Sequence, residues 1–321
     1  FSAVLDNVTT ILLVVPVTIF LARRLEVDPE PFVLLQIFMS NIGGTATMIG
    51  DPPNLIIASL GNIGFNDFII NLAPLIIINT VVLLGSASLY FKKKLTVSRE
   101  LKMSIMELDL ERTIKDKKLL VQSLVLFSIV ILGFLTNSVT NIGLAVIALF
   151  GSIVLIFVSK KKPEEIFAKI EWETLFFFIG LFMMIRGIEN LNIINIIGDR
   201  IIHLTEGKFD MAVIAVTWLS AAFTSIIGNV ANAATVSKIL GVMVPSFDGL
   251  GNTQAFWWAL SFGSCLGGNI TILSSATNVV AVGAAGKAGC KIDFMKFFKF
   301  GGLIAFETLL VGTIYLYVRY M

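Results

Sequence analysis

Charge is what this chain has least of. Only 14% of its 321 residues are Asp, Glu, Lys or Arg, against roughly 25% in a soluble domain, so water is not its main solvent. It holds one histidine, His203, and two cysteines, Cys265 and Cys290. No His-Glu-x-x-His zinc helix can be written with a single histidine, and no Ser-Lys or Ser-His arrangement for hydrolysis appears. A Walker-type phosphate loop is also missing. An enzyme is therefore not expected, nor a cofactor, and energy should come from an ion gradient or a partner ATPase. The basic, aromatic-interleaved surface that nucleic acid needs is absent too. The two thiols fall at different depths in the reading below, which predicts no disulfide. His203, in an amphipathic stretch, reads as a membrane-interface residue.

What is abundant is apolar. Hydrophobic residues make up 56% of the chain, and the mean hydropathy is +0.90. Apolar runs fall at 11–22, 32–49, 53–60, 68–91, 119–136, 140–158, 174–190, 209–227, 231–246, 254–273, 276–286 and 295–318. This is the pattern of an all-α polytopic membrane protein, with the lipid bilayer as its first partner. Several runs are shorter than the ~20 residues that cross a bilayer core, and these flank a repeated motif.

Ser40-Asn41-Ile42-Gly43-Gly44-Thr45-Ala46-Thr47 returns 224 positions later as Ser264-Cys265-Leu266-Gly267-Gly268-Asn269-Ile270-Thr271. Seven residues after each final Thr comes an Asn, Asn54 and Asn278. Upstream, Asp6-Asn7-Val8-Thr9-Thr10 matches Gly228-Asn229-Val230-Ala231-Asn232 at an offset of 222. Polar, Gly-interrupted stretches in matching positions of two hydrophobic halves point to a transporter binding site. Residues 32–60 read as one crossing broken near Gly50-Asp51-Pro52-Pro53, and 254–286 as its partner, broken near Ser274-Ser275. Residues 209–246 read as a re-entrant hairpin with Gly228-Asn229 at its tip, and 11–22 as the exit arm of an equivalent hairpin tipped by Asp6-Asn7. Such breaks survive at membrane depth only where they are buried in protein or line a cavity.

Charge sorting predicts that the halves are inverted. Loops 92–118 and 159–173 carry nine and four basic residues, marking them cytoplasmic. After the first broken helix, 61–67 has none, whereas 287–299 after the second has four. Arg23-Arg24 follow the first hairpin, while 245–254 after the second has no basic residue. The domain reading is a first repeat over 1–91, a basic cytoplasmic linker over 92–118 and a second repeat over 119–321. About 110 residues, counted from Leu119, precede Asn229 but only six precede Asn7, which predicts a native chain that extends further upstream.

Asp6, Asn7 and Thr9 at the first tip, with Thr45, Thr47, Asp51 and Asn54 around the first break, form a candidate hard-cation site. Na⁺ would sit against Asp6, Asn7, Asp51 and Asn54. An ionised Asp in a membrane segment costs about 2.5–3.5 kcal/mol, and consecutive prolines free upstream carbonyls to coordinate an ion. In the second half Gly228 and Ser275 stand where the acids were, while Asn229 and Asn278 keep the amides. That side should be less negative and suit substrate polar groups. Glu307, mid-span in 295–318, is a weaker candidate for proton coupling, and Arg186 and Glu189 read as a pair on one helix.

These motifs resemble the ion transporter superfamily, specifically its arsenite permease/sodium–proton antiporter branch. The segments that carry the likeness are LDNVTT at 5–10, SNIGGTATMIGDPPN at 40–54, GNVANAAT at 228–235 and GSCLGGNITILSSATN at 263–278, with IEWETLFFF at 170–178 similar to the opening of that family's second repeat. The resemblance covers nearly the whole chain. It implies two re-entrant hairpins, two broken helices, a homodimer held by a scaffold domain and elevator-type alternating access in the plasma membrane of a prokaryote. It adds Asn232, Asn269 and Thr271 to the site residues of the second half. The expected activity is secondary active transport of an inorganic ion or oxyanion, arsenite-like or Na⁺ against H⁺, with Na⁺ or H⁺ as coupling ion. Na⁺-coupled carboxylate uptake of the citrate or dicarboxylate type, and an ion channel, are the alternatives. Dicarboxylate carriers of the superfamily have Ser-Asn-Thr at both tips, and an aspartate at the first tip here opposes a carboxylate substrate.

Overall fold

A computed structural model describes residues 1–92, 116–168, 170, 172–190 and 193–321. Most of the 92–118 linker, and the side chain of Glu189 in the expected Arg186–Glu189 pair, lie outside the described residues. Every regular element among them is helical. The first half comprises α1 (Asn7–Arg24), α2 (Glu30–Gly44), α3 (Pro52–Gly61) and α4 (Phe65–Phe91). The second comprises α5 (Lys117–Leu135), α6 (Leu144–Ser159), α7 (Trp172–Asn190), α8 (Ile193–Leu204), α9 (Phe209–Ile227), α10 (Asn229–Met243), α11 (Gln254–Gly267), α12 (Ala276–Lys287) and α13 (Phe294–Tyr320). Among the described residues six helices are long and apolar enough to cross a membrane, including α4 and α13 at 27 residues each.

Local chemistry sets the ends. Asp6 caps α1, its carboxylate accepting from the Thr9 amide at 2.9 Å and from the Thr9 hydroxyl, which supplies a partner to one of the orphan first-turn donors. Arg23 and Arg24 complement the dipole at the other end of α1. Pro52 and Pro53 open α3 where no intrahelical N–H partner is needed. Gly228, which joins α9 to α10, sits at φ +88°. Glycine adopts that backbone freely and an L side chain does not, which accounts for Gly228 where the first tip has Asp6.

Both breaks are longer than the sequence indicates. The first spans 45–51 rather than beginning near Gly50, because α2 already ends at the Gly43-Gly44 pair. The second spans 268–275, with one 3₁₀ turn at Ile272–Ser274.

Packing follows the duplication. α1 lies against α2 and α12, while α10 lies against α11 and α3. α4 packs on α13. Exchanging α1–α4 for α10–α13 leaves this pattern unchanged, the reciprocity expected of a two-fold relation between similar units. α9 and α10 form an antiparallel pair, with Phe209 at the start of one and Phe247 just past the end of the other 6.4 Å apart between ring centroids. The ends of the molecule are chemically distinct. Arg23 donates to the Ala288 carbonyl, and Lys296 pairs with Glu30 at 3.1 Å. At the opposite end Asn66 donates to the Leu135 carbonyl. α5 and α6 pack on each other and leave most of their apolar side chains exposed, Leu124, Ile129, Leu149 and Phe150 among them. His203 is exposed at the end of α8, and Cys265 and Cys290 are free, buried thiols.

Candidate ion and substrate site

Each break is closed by one asparagine. Asn54 Nδ2 reaches back to the carbonyls of Gly44, at 3.2 Å, and Thr47, at 3.0 Å. Asn278 Nδ2 reaches the carbonyls of Gly268, at 2.6 Å, and Thr271, at 2.9 Å. Donor and acceptors all shift by the same 224 positions. The reason is physical: a break inside the protein strands backbone carbonyls that have no helical partner, and buried carbonyls must find one. The amide seven residues beyond the motif supplies it.

The two tips and the first break converge on Asp51, which is 1% exposed. Asn229 Nδ2, from the second tip, lies 3.2 Å from Asp51 Oδ1 and 3.4 Å from Oδ2. Asn7, from the first tip, and Cys265 on α11 also act on Asp51. Asp6, of the same sign, also acts on it. Asn54 is tied into this cluster through its Oδ1, which accepts from Ser261 Oγ at 2.8 Å and Cys265 Sγ at 3.5 Å. Asp6 itself stays on Thr9 as a helix cap, so the carboxylate at the centre is Asp51.

A second cluster is neutral. Asn41 Nδ2 donates to Asn269 Oδ1 at 2.8 Å and Asn278 Oδ1 at 3.0 Å. Asn232 Nδ2 donates to Ser264 Oγ at 2.9 Å. Asn7 Nδ2, Asn269 Nδ2, Asn41 Oδ1 and Asn232 Oδ1 are buried without a hydrogen-bond partner. Buried polar atoms are ordinarily paired, so these four open donors and acceptors are candidates to meet a polar cargo.

The remaining candidates serve the frame. Thr45 Oγ1 donates to the Asn41 carbonyl at 2.9 Å. Thr47 and Thr271 hydroxyls tie the breaks to the Ala3 carbonyl, at 2.5 Å, and the Ser225 carbonyl, at 3.0 Å. Glu307 accepts from Ser86 on α4 at 2.6 Å and stands apart from the Asp51 cluster. Sequence reasoning assigned no role to Asn41 or Ser261. The signal for Asn41 was present, since the 224 offset pairs it with Cys265 inside the motif; Ser261 lies outside the motif and gave none.

Residues 1–263 match the citrate transporter family (CitMHS). The chain is 37% identical to the "46 kDa membrane protein" of Mycobacterium leprae, over all of this chain and 75% of that protein. It is 35% identical to the "Uncharacterized transporter Rv2684" of Mycobacterium tuberculosis, over 99% of this chain and 74% of the other. It is 30% identical to the mouse P protein, over all of this chain and 48% of that one.

Proposed function

The chain belongs to the citrate transporter family and is an integral membrane transporter rather than an enzyme; from that premise we propose that it is a secondary active carrier whose coupling ion, Na⁺ or H⁺, neutralises Asp51. One observation carries this reading: a carboxylate 1% exposed, in the first half but held by Asn229 from the second, with no opposite charge among the described residues acting on it. A buried charge without a partner is far too costly to persist. Asp51 therefore takes up a proton or a cation whenever it is closed off, and releases it when one side opens. The amides of the second cluster then face the cargo, an inorganic ion or oxyanion.

The exchange pattern of the helices supports inverted repeats, with α9–α10 as a re-entrant hairpin and the broken helices meeting at mid-membrane. The apolar faces of α5 and α6 fit a scaffold that carries a homodimer contact in a prokaryotic plasma membrane, against which the centre moves as an elevator. Carboxylate transport is the second reading, favoured by the family match and by the open amide donors of Asn7 and Asn269, which suit an anion.

The test is flux in proteoliposomes with Na⁺, Li⁺, arsenite and citrate, each with an internal pH readout. Asp51→Asn should abolish ion-driven transport while leaving the fold intact. Undiminished coupled flux in that variant would remove Asp51 from the coupling role.

A further inference from the structure

Each repeated serine, Ser40 or Ser264, lies between the two sides of its tip, and the two halves engage opposite sides. In the first half the side before the tip is engaged. Ser2 Oγ shares its proton between Asn7 Oδ1 and the Ser40 carbonyl, the latter at 2.6 Å, and Ser40 Oγ donates to the Asn7 carbonyl at 3.3 Å. Thr10, after the tip, keeps a buried hydroxyl with no hydrogen-bond partner. In the second half the side after the tip is engaged, where Asn232 Nδ2 donates to Ser264 Oγ at 2.9 Å. Thr224, before that tip, is fully buried and its hydroxyl has no partner. Ser2 and Thr224 are 222 positions apart, as are Thr10 and Asn232, and Ser40 and Ser264 are 224 apart. The tips differ accordingly. Asn7, held by Ser2, leaves its Nδ2 unpartnered, whereas Asn229, not held by Thr224, reaches across to Asp51 at 3.2 Å.

Residue type does not account for the difference. Ser2 and Thr224 both carry a hydroxyl, and Ser40 and Ser264 are identical. Equivalent groups in unlike bonding record two conformations of one device. On the inverted-repeat carrier reading given above, we infer that Thr224 is a positioning residue, which takes Asn229 off Asp51 when the carrier faces the other side of the membrane. Exchanging the conformations of two inverted halves moves the opening to the opposite face, the symmetry that alternating access uses. In the exchanged state Thr224 donates to Asn229 Oδ1 and the Ser264 carbonyl, as Ser2 now does to Asn7 and Ser40. Asn232 gives up Ser264, and Thr10 bonds Ser40. Buried hydroxyls are ordinarily paired, and each one unpartnered here finds its partner there. The two states thus hold equivalent sets of bonds, which keeps both accessible. Only hydrogen bonds change hands, with no covalent step and no change of protonation.

Two variants separate this role from a packing role. Thr224→Val keeps the shape and removes the hydroxyl, and Thr224→Ser keeps the hydroxyl. A hydroxyl without a partner contributes nothing to the state seen here, so Thr224→Val should not lower the melting temperature. It should nevertheless lower the maximal uptake rate, measured with Na⁺, Li⁺, arsenite and citrate, by roughly tenfold, the weight of one hydrogen bond in an equilibrium. Thr224→Ser should stay near the unchanged chain. Full-rate uptake by Thr224→Val, or equal slowing by both variants, would overturn the inference. A second arm needs no substrate. In the full chain reconstituted in lipid, with Cys265 and Cys290 replaced by serine, spin labels at exposed Asp67 and Asp248 report the position of the α9–α10 pair against α4. Pulsed electron paramagnetic resonance should give two distances in the chain with Thr224 and in Thr224→Ser, but one in Thr224→Val. A single distance with Thr224 in place, or two in the valine variant, would refute the exchange. Emergence of 61–67 and 287–299 on the same side of the membrane would instead remove the inverted-repeat reading on which it rests, so the two failures are distinct.

Discussion

Asn229 Nδ2 lies 3.2 Å from Asp51 Oδ1, joining residues 178 positions apart in the chain. One comes from the joint between two antiparallel helices and the other from the break in a third, so neither has a local reason to meet the other. A hydrogen bond to a charged group contributes about 1.5–3 kcal/mol, and each 1.4 kcal/mol is tenfold in an equilibrium. That bond steadies the ionised, empty form of Asp51, so Asn229→Ala should tighten the apparent affinity for the coupling ion by roughly ten- to a hundredfold. Ion-concentration dependence of uptake in proteoliposomes measures it. Ordinary affinity in that variant would mean that the amide contacts Asp51 without acting on the ion.

Tight packing over the second break gives a stability prediction. A Cβ on Gly301 of α13 would collide with the Asn269 carbonyl, whereas one on its neighbour Gly302 would meet nothing within 4 Å. Backbone cannot move aside as a flexible side chain does, and overpacking of this kind costs about 1–3 kcal/mol. Gly301→Ala should lower the melting temperature of the detergent-solubilised protein and reduce transport. Gly302→Ala should do neither. Adjacent glycines in one helix thus make an internal control.

Much of this arrangement was legible before any coordinates. Both Asn54 and Asn278 are marked by the 224 offset, and their chemistry follows from where the Gly-Gly pairs put the breaks. Asn7 and Asn229 stand out because the two tips share one sequence. Which carboxylate stands at the centre did not follow, because Asp6 and Asp51 are equally acidic in a sequence. The sequence offers Asp6 both as a site carboxylate and as the cap of the helix that follows it, and the geometry shows Thr9 holding it as the cap. The breaks also begin earlier than Pro52-Pro53 suggests, since consecutive glycines end α2 before the prolines are reached. Ser261 was invisible for a different reason: it has no counterpart in the repeated motif, and a serine in a helix usually bonds its own backbone.

Cys290 lies in the turn after α12, at the basic end of the molecule. Burial raises its pKa above the ordinary thiol value, and the Asp28 and Glu30 carboxylates push it the same way, with Arg23 opposing. The reactive species is the thiolate, so alkylation at neutral pH should be slow. Its rate should keep rising with pH beyond the ordinary thiol midpoint of about 8.5. Glu30→Gln removes one of the two carboxylates and should speed the reaction at fixed pH. Peptide mass spectrometry separates this label from any on Cys265. A rate already level at the ordinary midpoint would contradict the burial of this thiol.

The sidedness of the two halves can be decided by labelling. If the repeats were parallel, the segments that follow the two broken helices, 61–67 and 287–299, would emerge on the same side of the membrane. If they are inverted, these emerge on opposite sides. Contacts favour the second: Arg23 reaches the Ala288 carbonyl and Lys296 reaches Glu30, which gathers the basic 287–299 segment with the end of α1 and the start of α2. Asn66 reaches Leu135 at the far end of α5 instead. Loops rich in Lys and Arg stay cytoplasmic, so the 287–299 end should face the cytoplasm. Single cysteines placed at exposed Asp67 and Lys291, in a chain with Cys290→Ser, should react with a membrane-impermeant maleimide from outside and from inside the cell respectively. Labelling of both positions from one side would rule out the inverted arrangement, because no tilt or rotation of a single bundle brings the two ends of α4 to the same face.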